Sequence, residues 1–433
     1  MATDLQQTQP HPVAPPPRCE KTRKRTLTRR AVMWLGQTCN ARCYFCYFID
    51  RIRSAHHPEH PFMSLDKAKQ ICKTLREFYG CTAIDIQGGE PTIHPDILPL
   101  ITYCRDIGLY PTLITNGIHL AKPGVLEQFR DAGVRDFLVS LHGIGEVHDE
   151  VVGRKGASEK IITAIERMRD LGIPFRFNCT MSKPVIPLLP QIAEKAIAYG
   201  AEAVNFIAFN PFGDQETGRR SAENVARYSD IKDTLARAID MLEDAGIECN
   251  VRYMPLCMAE ERHRKNFYNY QQLSYDHHEW EYNSWLWTMM QSQMMRSGDP
   301  APPIVMGPYD RRIRHIPGTV LGDRAKARPL LYRTLYALQH LGGRAMRLYH
   351  GKHGMYRREA IYRAANECKY RYHQACASCA LRPICDGFHG DYAGFFGTDE
   401  ARPITDMDPV NDPLRFIRDQ EKIVEPEDAS WAL

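Results

Sequence analysis

The chain has 433 residues, 43% hydrophobic and 25% charged, the composition of an ordinary folded protein long enough for two or three domains. No run approaches the roughly eighteen apolar residues of a membrane span. The formal net charge is only +4.

Residues 1–29 contain Pro10, Pro12, Pro15, Pro16 and Pro17 and then enter the basic run KTRKRTLTRR, with no apolar core of the kind a signal peptide needs. This reads as a disordered, solvated tail; nucleic acid is not expected as a partner. Fourteen cysteines without an export signal point to a reducing cytoplasm, with thiols kept for metal rather than for disulfides.

Residues 31–37, AVMWLGQ, read as a buried strand that delivers the loop TCNARCYFCYF. Its cysteines, Cys39, Cys43 and Cys46, supply three thiolates where a four-iron cluster is normally held by four. One iron would be left open, and an open position separates a catalytic metal from a structural one. A zinc site or three unconnected core cysteines are the alternatives at this stage.

Strand-like runs follow at 81–87, 109–115, 135–141, 174–180 and 203–209, alternating with helical patterns near 65–79, 95–106, 123–132, 156–171 and 187–199. Such alternation implies βαβ units and a parallel sheet, with polar motifs gathered at the strand ends. Gly88-Gly89-Glu90-Pro91 directly follows the strand at 81–87. Glycines there allow close backbone approach to a ligand, and Glu90 sets a carboxylate beside them. Later strand ends offer Thr115-Asn116-Gly117, Ser140 with His142, Arg154, Asn178, and Ile207 with Phe209. Each also has an ordinary reading as a turn, a helix entry or core.

Beyond residue 245 stand Cys249, Cys257, Cys368, Cys376, Cys379 and Cys385. The compact C-x2-C-x5-C group at 376–385 could bind iron–sulfur or, as a knuckle, zinc. Cys19, Cys72, Cys81, Cys104 and Cys179 lack such grouping and read as free thiols, some of them buried. Residues 258–367 hold seventeen Lys/Arg against ten Asp/Glu, about +7 for the segment. This insertion is crowded with Tyr, Trp, His and Met, and its later half has helical spacing. It reads either as helices capping the barrel or as a surface for an anionic substrate, such as a phosphorylated sugar, nucleotide or polyprenyl phosphate. Peripheral contact with an anionic membrane is a further use of such a helix. His277 and His278 read as surface histidines.

The cysteine triplet, with Gly88-Gly89-Glu90-Pro91 at the next strand end and the βα alternation behind it, resembles the radical S-adenosylmethionine (SAM) superfamily. That resemblance implies an α/β fold, a partial (β/α)6 TIM-like barrel over residues 30–245. It implies a [4Fe-4S] cluster on Cys39, Cys43 and Cys46, whose open iron is chelated by SAM. Reduction by a partner such as flavodoxin or ferredoxin would then yield a 5′-deoxyadenosyl radical that abstracts hydrogen from substrate. It further implies SAM contacts from Phe45, Gly88, Gly89, Glu90, Asn116, Ser140, Arg154, Asn178 and Ile207, with Glu90 facing the SAM amino group.

The run CASCALRPICDGF resembles the C-terminal auxiliary-cluster domains of that superfamily, called SPASM or twitch, and places such a domain within 246–433. Two-cluster versions use about seven cysteines, whereas no cysteine follows Cys385 here. One auxiliary [4Fe-4S] cluster on Cys257, Cys376, Cys379 and Cys385 is therefore expected, with Cys249 and Cys368 as spare ligands. The implied reaction is a redox or rearrangement step on a small anionic or lipid-linked metabolite. The alternatives are a peptide or protein maturase of SPASM type and, from another class, a non-catalytic zinc or iron–sulfur protein.

Overall fold

The computed structural model describes residues 24–27, 30–36, 38–46, 60–77, 81–209, 223–272, 279–280, 327–417 and 421–424. Most of the N-terminal tail, Cys19, His277, His278 and the middle of the 258–367 insertion lie outside the described residues.

A short strand, β1 (Lys24–Leu27), pairs in parallel with β11 (Glu421–Val424). The main sheet has nine strands, all parallel. In chain order it is built from β2 (Arg30–Trp34), α1 (Leu65–Glu77), β3 (Ala83–Gln87), α2 (Ile97–Asp106), β4 (Tyr110–Thr115), α3 (Val125–Ala132) and β5 (Asp136–Ser140). There follow α4 (Glu146–Val152), α5 (Ala157–Asp170), β6 (Phe175–Met181), α6 (Leu189–Tyr199) and β7 (Ala203–Ala208). The six strands and five helices expected from the sequence match these elements to within a few residues at their ends. The α/β half-barrel expected from the sequence is the fold observed.

Strands β2 to β8 lie side by side in sequence order, each joined to the next by a crossover containing helix. This is the arrangement right-handed βαβ units produce. Strand β6 shows why the sheet has two unlike faces. Phe175, Phe177, Cys179 and Met181 are buried and join the core under the helices, while Arg176, Asn178 and Thr180 are half-buried on the other face. Side chains alternate along a strand, so this polar face is the barrel interior.

The sheet runs past residue 245, where the barrel was expected to close. Helix α7 (Tyr228–Asp244) leads into β8 (Glu248–Arg252), which pairs with β7, and β9 (Phe267–Tyr268) adds to β8. At the other edge β10 (Glu279–Trp280) pairs with β2. Cys249, a spare ligand in the sequence reading, sits wholly buried within β8. Cys72, Cys81, Cys104 and Cys179 are buried and lie outside any disulfide, as expected.

The C-terminal region is short on regular structure. It comprises α8 (Pro329–Tyr362), interrupted at Gly351, α9 (Gly390–Phe396) and several single 3-10 turns around the later cysteines. Tyr392 on α9 stacks on Tyr228 of α7 with ring centroids 3.7 Å apart, and its hydroxyl donates to Glu400 and accepts from the Tyr228 N–H. The cysteine-rich region thereby shares one core with the barrel.

Candidate active site

Strands running the same way put every C-terminal end on one edge of the sheet, where parallel α/β proteins place their ligands. Four polar loops leave that edge: the cysteine loop after β2, Gly88–Pro91 after β3, Asn116–Ile118 after β4 and Leu141–Gly143 after β5.

The cysteine loop has no secondary structure of its own and is held by its neighbours. The N–H groups of Arg42 and Tyr44 donate to the carbonyls of Val152 and Val151, at 2.8 and 3.3 Å. These carbonyls end α4 and would otherwise lack intrahelical donors. On the other side, Glu90 N–H donates to Thr38 O at 2.8 Å, and Gly89 N–H to Gly36 O at 2.9 Å. A Cβ on Gly89 would lie 2.0 Å from the Thr38 carbonyl oxygen. The close approach that demands glycine here is thus to the cysteine loop itself.

Glu90 is 1% exposed, and its carboxylate is a junction between β3 and β4. Oε1 accepts from Thr92 N (3.1 Å), Thr92 Oγ1 (2.5 Å) and Thr115 Oγ1 (2.6 Å), and Oε2 accepts from Asn116 N (2.7 Å). Burial raises the carboxyl above its ordinary pKa, against the opposing pull of these hydrogen bonds. Oε2, with one donor, retains acceptor capacity for a further N–H. The Cys39 thiol is pushed up to about 12, chiefly by burial and then by the nearby Glu90 charge. Cys43 is raised by burial and by the other two thiols. Such thiols keep their protons at neutral pH until a metal displaces them.

Asn116 joins the second and third loops to the first. Its Nδ2 donates to Asn40 Oδ1 at 2.7 Å and lies 3.7 Å from Cys39 Sγ, while its Oδ1 accepts from Ile118 N at 3.1 Å. Arg154 Nη1 donates to the Asn40 carbonyl at 3.3 Å. Asn40, which the sequence reading passed over, is therefore the residue through which Asn116 and Arg154 reach the loop.

Phe45 stands edge-on to His142, with centroids 4.6 Å apart, and 6.2 Å from Phe209. Tyr44 reaches across to donate to Ser182 Oγ at 2.6 Å. His142 Nδ1 accepts from Thr180 N at 3.0 Å, and His148 Nδ1 accepts from His142 N at 3.1 Å. Burial lowers these imidazoles to about 3 and about 4 respectively, which favours the neutral ring in both.

Ser140, Asn178, Asn205 and Asn250 occupy register-matched positions on four adjacent strands, a polar row across the barrel interior. Asn250 Nδ2 donates to Asn205 Oδ1 at 3.1 Å. Thr180, Ile207 and Arg252 form the next row toward the C-terminal edge. Ser140, Asn178 and Ile207 were candidates from sequence, but Asn205 and Asn250 were not. For Asn250 the signal was the alternation of Glu248, Asn250 and Arg252 along β8; Asn205 is the one polar residue of β7 and had none.

A second site lies in the C-terminal region. Cys257, Cys376, Cys379 and Cys385 line one cavity together with Tyr372 and Arg402. Two of the thiols meet a backbone N–H, Cys379 from Ile404 and Cys385 from Gly387, both at 3.4 Å. Hydrogen bonds to sulfur are a standard feature of iron–sulfur ligation. Among the described residues, no three His, Cys, Asp or Glu side chains gather closely enough for a single metal ion. Cys368 does not line the cavity; its Sγ lies 3.2 Å from Tyr270 Oη.

Residues 35–190 match the Radical SAM superfamily. The chain is 30% identical over 230 residues to an AdoMet-dependent heme synthase of Methanosarcina barkeri, covering 52% of this chain and 62% of the relative. It is 28% identical over 152 residues to a PqqA peptide cyclase of Bradyrhizobium diazoefficiens, covering 35% and 40%. A probable GTP 3′,8-cyclase of Sulfurisphaera tokodaii is 26% identical over 51% of this chain and 67% of the relative. The chain spans less than two thirds of the length of the first of these relatives. Among solved structures, Streptococcus suis SuiB bound to S-adenosylmethionine aligns with a TM-score of 0.43 at 17% identity, over 52% of this chain and 51% of that one. The matched stretch runs from the end of β2 to the start of α6 and includes Cys39, Cys43, Cys46 and Glu90.

Proposed function

We propose that the chain is a radical SAM enzyme whose barrel acts on a small anionic or lipid-linked metabolite in a redox or rearrangement reaction. The observation that carries this reading is the hydrogen-bonded assembly of Cys39, Asn40, Glu90 and Asn116, which brings three strand-end loops together around three thiols. Cys39, Cys43 and Cys46 would hold a [4Fe-4S] cluster with SAM on its open iron, as the superfamily does. When bound, these groups supply reductive SAM cleavage and hydrogen abstraction, and the protein's part is binding and orientation.

In that division of labour, Oε2 of Glu90 supplies an acceptor for the SAM amino group beside the cysteine loop. Phe45, Ile207 and Phe209 offer apolar surface at the strand ends, and Ser140 and Asn178 offer polar groups to ribose or carboxylate. Arg154 fixes the Asn40 backbone and so positions the loop. Asn205 and Asn250 extend the polar row deeper, where a substrate rich in hydrogen-bonding groups would lie. Cys257, Cys376, Cys379 and Cys385 would hold one auxiliary cluster, able to take an electron from the substrate or to ligate it.

A second reading, a peptide substrate, is favoured by the similarity to PqqA peptide cyclases. Anaerobic reconstitution with iron and sulfide, followed by dithionite and SAM, should release 5′-deoxyadenosine. A fully loaded protein that releases none defeats the enzymatic reading. Mass spectrometry of small molecules and peptides that co-purify with the protein separates the two substrate classes.

A further inference from the structure

Helix α8 breaks at Gly351, whose φ of 67° and ψ of 172° are not helical. The part after the break is docked on the auxiliary-site region. Arg357 there donates to Gln271 Oε1 at 3.0 Å and to the carbonyls of Pro383 and Asn411, each at 2.7 Å, and Ala360 is buried. The part before the break, residues 329–350, is about 33 Å long at the usual helical rise. Its apolar face is turned outward.

The pattern is specific. At 3.6 residues per turn, Leu331, Leu335, Leu338, Leu341, Leu348 and Tyr349 fall within one broad face. Leu338 is 61% exposed, Leu341 59%, Leu348 88% and Tyr349 83%. Positions 333, 344 and 347, all arginine, fall on the opposite side of the same helix. Large contiguous apolar patches are rare on proteins with nothing to bind.

Charge decides what fits this face. Within residues 329–350, Arg333, Arg344 and Arg347 stand against no acid. An anionic lipid surface takes the leucines into its acyl boundary and the arginines into its headgroups. The helix cannot cross the membrane: among the described residues none is long and apolar enough. We propose that residues 329–350 form an amphipathic helix that lies in the surface of an anionic bilayer and holds the auxiliary cysteine site close to it. This inference does not depend on the chemistry proposed above.

The test is sedimentation of the full-length, reconstituted protein with vesicles of phosphatidylcholine alone or with about 30% phosphatidylglycerol. The expected result is roughly tenfold greater binding to the anionic vesicles, weakening with added salt. The double variant Leu338→Glu/Leu341→Glu should lose that binding while keeping iron content and melting temperature, because both side chains are already in solvent. Absence of binding to anionic vesicles, or equal binding to both kinds, overturns the proposal. So does a self-association in ultracentrifugation that the same double variant abolishes, since it would assign the face to a second copy of the chain.

Discussion

The two cysteine sites are built in opposite ways. The first takes three thiols from one short loop, Cys39 to Cys46, and fixes that loop through contacts with other backbones: α4 on one side, Gly89 and Glu90 on the other. The second gathers four thiols from positions as distant as Cys257 and Cys385 around one cavity. On the proposed reading, three thiols on an externally braced loop would leave a position for a ligand, and four thiols around a cavity would complete a ligand set. An open site must borrow rigidity from its surroundings, whereas a closed one can gain it from the cluster it holds.

The largest effect that would sharpen this contrast is expected from Cys43→Ala. It should abolish 5′-deoxyadenosine formation and remove about four irons per chain, leaving the other cluster's iron in place. Loss of all iron would show that the two sites do not load separately. Next comes Gly89→Ala, which drives a methyl group into the Thr38 carbonyl. Its expected cost is about 1–3 kcal/mol, with iron lost selectively from the first site. Gly394→Ala, on α9 with nothing within 4 Å of the new methyl, serves as the control and should leave iron unchanged. Cys385→Ala should act the other way, removing the auxiliary iron while SAM cleavage persists within about tenfold. Unchanged iron in that variant breaks the reading of the second site.

How much of this was legible in the sequence follows from where the information lies. Strands β2 to β5 and β7 announce themselves as largely apolar runs, and β6 as an alternation of apolar and polar residues, FRFNCTM. Strand β8 does not: ECNVR presents Glu248, Asn250 and Arg252 to the barrel interior and reads as a loop. Helix α4 was missed as well, since EVHDEVV is short and mixed in polarity, yet it supplies the carbonyls that hold Arg42 and Tyr44. The cysteine loop was marked by its C-x3-C-x2-C spacing only together with Gly88-Gly89-Glu90-Pro91 at the next strand end. The demand on Gly89 was readable in kind but not in object, because its neighbour, Thr38, lies on a different loop. Asn40 and Asn205 had no motif to mark them, and only the pairing of strands and loops shows what they touch.

The smallest effect concerns the imidazoles that back the open site. His142 and His148 are held neutral by burial, with folded pKa values of about 3 and about 4 against an ordinary 6.5. Between those values and 6.5 the unfolded chain binds more protons than the folded one, so stability falls as pH drops through that window and is fully present above 6.5. The combined contribution is on the order of a few kcal/mol. His142→Asn keeps a side-chain acceptor near Thr180 N but removes one titrating ring. Melting temperature measured from pH 7 down to about 4.5 should therefore decline less steeply in this variant than in the parent. Because Phe45 packs against this ring, iron retention at the first site should follow the same curve while the second site's does not. A variant with an unchanged slope would mean that His142 titrates alike in the folded and unfolded chain, and that burial does not hold the ring neutral.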